Sequence, residues 1–140
     1  MTKKNENLKY LIDRYSAHPE IFEIFCTNLY KYMGYEVITP SHSNKVNHTV
    51  LMKKKDETVL LKCKCYPENI KIGGFLLHQL ISSNKELLAD RMIFITTSDY
   101  TDECTKYANA IGIELVNGLF LVKLVKQKNK AGSTKEIRLD

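Results

Sequence analysis

The chain has 140 residues and a mass of 16.2 kDa, enough for one domain with its own core, since a chain this size buries roughly two-thirds of its unfolded surface. Hydrophobic residues at 44% and charged residues at 26% argue against a disordered chain, and the longest uncharged apolar runs, such as Met92 to Ile95 and Leu119 to Val122, fall far short of the ~20 residues of a bilayer-spanning helix. A net charge of +5 and a pI near 9.0 favour a polyanionic partner, because lysines near phosphates release counterions, although a solvated basic face has the same composition.

The N-terminal MTKKNENLKY is polar and lacks the apolar stretch of a signal peptide, so a cytoplasmic location is expected. Cys26, Cys63, Cys65 and Cys104 are then read as reduced thiols. Cys63 and Cys65 form a lone CxC with no second ligand pair at zinc spacing, so no structural metal is expected.

From Asn5 to Ser16 the helical spacing of Leu8, Leu11, Ile12 and Tyr15 predicts a short amphipathic helix, broken at His18-Pro19. EIFEIFCTNLYKYM, Glu20 to Met33, predicts a second helix, with Pro19 at its start and Gly34 past its end. YEVITP reads as a short strand closed by Pro40, and SHSNKVNH as a polar loop. Thr49 to Lys55 and Thr58 to Tyr66 read as a hairpin connected at Asp56-Glu57. In its second strand Val59, Leu61, Cys63 and Cys65 face one way, and Leu60, Lys62 and Lys64 the other.

A helix is expected from about Gly74 to Leu88, then a continuous apolar strand, RMIFITT, of the kind covered on both faces. SDYTDECTKYANAIG reads as a helix capped by Ser98 or Thr101 and ended by Gly112. IELVN is a strand, and GLFLVKLVKQK fits either helix or strand. The early strands, joined by short turns, should pair antiparallel, and the later ones, joined through helices, parallel. The fold class is therefore α/β, a central mixed sheet flanked by helices in three layers. Residues 1–19 form an N-terminal helical extension, 20–128 the domain and 129–140 a polar tail.

Three segments resemble the Mrr-type, type IV, restriction endonuclease domain of the restriction-endonuclease-like PD-(D/E)XK superfamily. FEIFCTNLYKYMGYEV, Phe22 to Val37, is similar to the family's opening helix and first strand; TVLLKCKCY is similar to its catalytic strand, which typically ends in Gln-Cys-Lys or Glu-x-Lys; RMIFITTSDYTDECTKYANAIGIELVNG, Arg91 to Gly118, is similar to its strand, turn, helix and final strand. Together they cover roughly Glu20 to Val125. The resemblance implies hydrolysis of DNA phosphodiesters with Mg²⁺ held by carboxylates, which activates water and stabilises phosphoryl charge. In the family an acid at the start of the second strand and a Glu or Gln on the third hold the ion, a lysine two residues later orients the water, and a glutamate of the first helix often joins them.

Carried over by position, Glu23 matches the helical glutamate and Lys64 the catalytic lysine. Lys62 stands where Glu or Gln is expected, and Asn47 and His48 where Asp is expected, with no acid from Thr39 to Lys55. A unit charge ~6 Å from a divalent cation is worth on the order of 5 kcal/mol at an effective dielectric of ~20, so a lysine there repels the ion strongly. The expectation is a DNA-binding domain, catalytically impaired, that needs no cofactor and contacts phosphates through Lys45, Lys62, Lys64, Lys71 and Thr97.

Bland readings stand beside these. Lys62 and Lys64 could be ordinary exposed strand lysines, Lys53 to Lys55 a solvated hairpin tip, His78 a packing residue, and the Thr96-Thr97-Ser98 turn a helix cap. One alternative function is an active Mg²⁺-dependent endonuclease with a displaced acid, Asp56, Glu57 or Glu68. Another is a protein-interaction or oligomerisation module that kept the fold. Type IV relatives usually carry a recognition domain for which this chain has no room, so a homodimer or a separate partner subunit is a natural expectation.

Overall fold

The alternation along the hairpin's second strand builds two cores at once. In the computed structural model, which describes residues 3–38 and 49–130, the elements are α1 (Lys3–Tyr15), α2 (Pro19–Tyr32), β1 (Glu36–Val37), β2 (Val50–Lys54), β3 (Glu57–Lys64), α3 (Leu77–Leu87), β4 (Arg91–Thr96), α4 (Asp102–Ile111), β5 (Ile113–Val116) and α5 (Gly118–Lys130). The strands lie in the order β1-β2-β3-β4-β5. The β1/β2 and β2/β3 pairs are antiparallel and the β3/β4 and β4/β5 pairs parallel, as the connection lengths predict.

On one face, Val59 and Leu61 of β3 join Val50, Met52, Ile93, Ile95 and Val116 under α1, α2 and α5. On the other, Leu60 joins Phe94 and Ile113 beneath α3 and α4. The result is the three-layer α/β arrangement read from the sequence. α1, expected as an extension, places Leu8, Leu11 and Tyr15 in the first core. Among the described residues no helix is long and apolar enough to cross a membrane.

Several local expectations are revised. The hairpin turns at Lys55-Asp56, because Lys54 pairs with Glu57, and Lys55 takes a left-handed φ of 57°. The helix expected from Gly74 begins as a 3₁₀ turn, Gly74–Leu76, and α3 ends at Leu87 with Leu88 left-handed at φ 53°. Thr101, rather than Ser98, caps α4 by accepting a hydrogen bond from the Cys104 N–H, and Gly112 at φ 85° ends that helix. GLFLVKLVKQK is helical: Leu121, Val122 and Val125 share one buried face, a period no strand would satisfy.

Gly118 is required by closeness. A Cβ there would lie 2.2 Å from the Thr97 carbonyl oxygen and 2.7 Å from Leu8 Cδ1, and the Gly118 N–H donates to the Ser98 carbonyl at 2.8 Å. The start of α5 is thereby pressed onto the end of β4, where the candidate site is built.

Candidate functional site

β3 runs parallel to β4 and registers Lys62 with Phe94 and Lys64 with Thr96. The two lysines thus sit at the carboxyl end of the parallel strands, the end at which open α/β sheets collect ligand-binding groups. Lys62 is only 2% exposed, which removes the exposed-strand reading for that residue, whereas Lys64 is half-buried. Burial first, and then the neighbouring Lys64 charge, push the Lys62 ammonium down to about 8; Cys63 and Glu23 pull in the opposite direction. Glu23, half-buried on α2, exerts the weakest of these influences.

The antiparallel register supplies a residue that the sequence reading missed. Its last pair is Val50 with Leu61, so one step further Thr49 comes level with Lys62. Thr49 is 1% exposed. The signal lay in the turn: a connection at Asp56-Glu57 would shift the register by two and set Leu51 opposite Lys62. Lys45, Asn47 and His48 lie outside the described residues.

Beyond Lys64 the chain is clasped to the end of β4. The Thr97 hydroxyl accepts from the Tyr66 N–H at 2.9 Å and donates to the Tyr66 carbonyl at 2.7 Å. The Ser98 hydroxyl donates to the Ile70 carbonyl, and the Ile72 N–H donates to the Asp99 carbonyl at 2.8 Å, while Thr101 N–H donates back to the Ile72 carbonyl at 3.0 Å. The Tyr100 hydroxyl lies 2.9 Å from both the Phe94 and Val116 carbonyls, and burial raises its pKa well above the usual phenol value. These bonds fix the segment that carries exposed Lys71. Thr97, expected to touch phosphate, is fully buried with its hydroxyl committed to the Tyr66 peptide, so its side chain shapes the site from beneath.

The other candidates separate clearly. His78 is exposed on α3, with its ring 6.2 Å from that of Phe75 and 5.7 Å from that of Tyr107. Tyr15 packs with Phe22 and Phe25, and Tyr30 with Tyr35, as packing residues should. The Cys26 thiol is buried in the first core and pushed up, first by desolvation and then by its contact with Cys63.

The acids Asp56 and Glu57 lie at the opposite end of the sheet. Glu57 is five residues before Lys62 on one strand, a separation of ~17 Å at ~3.3 Å per residue. There Arg91 donates to both Glu114 oxygens at 2.7 Å, to Glu57 at 3.3 Å and to the Tyr35 hydroxyl at 3.2 Å. The Glu114 hydrogen bonds raise the guanidinium pKa. An open cleft of about 660 Å³ at this end is lined by Tyr35, Lys54, Lys55, Asp56, Glu57, Asp90 and Arg91, whose three positive and three negative charges offset one another. Glu68, by contrast, follows Tyr66 at the lysine end and is exposed. Among the described residues no three His, Cys, Asp or Glu side chains group so as to hold a metal ion.

A family model for restriction endonucleases, Mrr_cat, matches residues 14–125. No curated protein matches the chain. Among solved structures, the chain is similar to the DNA modification-dependent restriction endonuclease AspBHI, with a TM-score of 0.76 and 17% identity over 93% of this chain and 36% of that one. It is similar to AF1548, a protein of unknown function, with a TM-score of 0.68 and 15% identity over 80% of this chain and 67% of that one. A third likeness is to the MspJI restriction endonuclease in complex with a 27-mer oligonucleotide, with a TM-score of 0.67 and 14% identity over 93% and 33% of the two chains. The chain thus spans about a third of the length of AspBHI and MspJI. At these identities the likenesses show a shared fold.

Proposed function

The chain belongs to the Mrr_cat restriction endonuclease family, and on that footing we propose that it binds DNA through a positive site at the end of β3 and is impaired in phosphodiester hydrolysis. The observation that carries this reading is the enclosed Lys62 ammonium, level with Thr49 and two residues from Lys64. A hydroxyl and two ammonium groups, even with the Glu23 carboxylate acting on them from α2, do not fit a hard divalent cation, which needs several oxygen ligands carrying negative charge. The same groups suit a phosphate.

Half-buried Lys64 and exposed Lys71 make the direct phosphate contacts, and Lys62, recessed behind them, adds its field. The names of two fold neighbours, a DNA modification-dependent endonuclease and an endonuclease bound to an oligonucleotide, support DNA as the ligand. The active-nuclease alternative now rests on Glu68, since Asp56 and Glu57 lie at the far end of β3.

Purified protein incubated with plasmid and Mg²⁺ or Mn²⁺ tests the proposal. No nicking is expected from the wild-type chain, whereas the double variant Thr49→Asp, Lys62→Glu should gain metal-dependent nicking that Lys64→Ala then removes. Wild-type nicking abolished by Lys64→Ala or Glu68→Gln contradicts the impairment.

A further inference from the structure

The 3₁₀ turn Gly74–Leu76 holds an aromatic ring clear of the protein: Phe75 is 82% exposed, the most exposed large hydrophobic side chain among the described residues. It does not stand alone. The His78 ring lies 6.2 Å from it with the planes at 69°, and the Tyr107 ring of α4 lies 5.7 Å from His78, so three exposed rings form a row across α3 and α4. Gly74 sits against the same row, since a Cβ there would lie 3.7 Å from Tyr107 Cδ2. The backbone beneath is fixed. Ile72, fully buried, donates its N–H to the Asp99 carbonyl and accepts at its own carbonyl from the Thr101 N–H, and the Leu76 N–H donates to the Gly73 carbonyl at 3.3 Å.

A phenyl ring held in water gains from burial only when a ligand covers it, and the charges at the two ends of the row select that ligand. Exposed Lys71 precedes Phe75 by four residues, which span at most ~14 Å even when fully extended. At the other end, exposed Glu103 lies one turn before Tyr107 on the same face of α4. A nucleic-acid strand with a phosphate on Lys71 therefore brings a neighbouring base to Phe75, while Glu103 turns its backbone away from Tyr107. We propose that Phe75 is a stacking surface for unpaired bases of a DNA strand held by Lys71, with His78 and Tyr107 buttressing its ring. This rests on the DNA-binding reading above and names the form of DNA that the site takes.

Other partners fit these features less well. An intact duplex keeps its base faces inside the stack, and prising a step open costs about what one aromatic contact returns, so a single ring needs bases that are already free. The core of a protein interface is depleted of charge, whereas Lys71 and Glu103 bracket this row. A cationic side chain beside an exposed aromatic ring is the arrangement that holds single strands, and because every base has a π-face the preference is for unpaired DNA rather than for a sequence.

The experiment is fluorescence anisotropy of the full chain in EDTA against three labelled ligands of equal length: a single-stranded oligonucleotide, a duplex, and a single strand of abasic residues that keeps the phosphates and lacks the bases. The wild-type chain should prefer the first. Phe75→Ala should weaken that binding about 5- to 150-fold, the range for one stacked base, and leave the affinity for the abasic strand unchanged. The chain has no tryptophan, so Phe75→Trp adds a single indole, whose emission the single strand should quench and the abasic strand should not. A wild-type preference for the duplex, single-strand binding that Phe75→Ala leaves unaltered, an equal loss on the abasic strand, or an unquenched indole overturns the stacking and leaves the DNA-binding reading intact. Self-association of the wild-type chain that Phe75→Ala abolishes assigns the rings to a second copy and overturns the stacking as well. Binding to none of the three ligands overturns both readings.

Discussion

Replacing Lys62 by methionine should stabilise the protein, and by an amount that depends on pH. The side chain is 2% exposed and its ammonium falls from 10.5 to about 8 on folding. Below pH 8 the lysine is charged in both states, and at ~1.4 kcal/mol per pK unit the folded state carries a penalty of ~3 kcal/mol. Between about 8 and 10.5 the unfolded chain binds more protons than the folded one, so wild-type stability rises with pH there and the penalty is gone above 10.5. Methionine fills a similar volume without the charge, and half-buried Glu23 keeps access to water. Urea unfolding followed by circular dichroism, under reducing conditions from pH 6 to 10, should place the Lys62→Met midpoint ~1.5 M above wild type at pH 7, for an m-value of ~2 kcal/mol/M. That gap should close towards pH 10. A variant no more stable than wild type at pH 7, or a gap that does not change with pH, refutes the reasoning.

Other substitutions test the surroundings of the site. Gly118→Ala forces a methyl group to within 2.2 Å of the Thr97 carbonyl oxygen, and should cost at least ~1–3 kcal/mol in thermal or chemical unfolding. Thr97→Val removes both hydrogen bonds to the Tyr66 peptide, a loss of ~2 kcal/mol that should appear as faster amide exchange at Tyr66. Leu88→Gly should stabilise by ~1 kcal/mol, measured by unfolding midpoint, because Leu88 is 76% exposed and left-handed at the end of α3.

The fold was largely legible because β3 alternates cleanly: Val59 and Leu61 enter one core and Leu60 the other, as the two-residue period requires. Parallel and antiparallel pairings followed from connection lengths. Of the candidate site, the sequence showed the common face of Lys62 and Lys64 at the end of β3. Thr49 was missed because a turn displaced by one residue moves the register by two, and the sequence KKKDET offers no glycine or asparagine to mark the left-handed position that Lys55 occupies. The burial of Lys62 was equally hidden, since alternation assigns a face without saying what covers it. Thr97 looked like a phosphate contact because hydroxyls in turns are common ligands, and its partner, Tyr66, lies 31 residues away. The Arg91 cluster joins residues from four separate segments, a geometry that only the folded sheet creates.

The central claim is that this end of the sheet attracts anions without a metal. Its most direct test is DNA affinity measured against salt in EDTA, for the wild-type chain and for Lys64→Ala. Binding should persist in EDTA, and the variant should lower the magnitude of the slope of log K against log salt by ~1, the loss of one phosphate contact. Binding that requires Mg²⁺, or a slope unaltered by the substitution, would contradict the account.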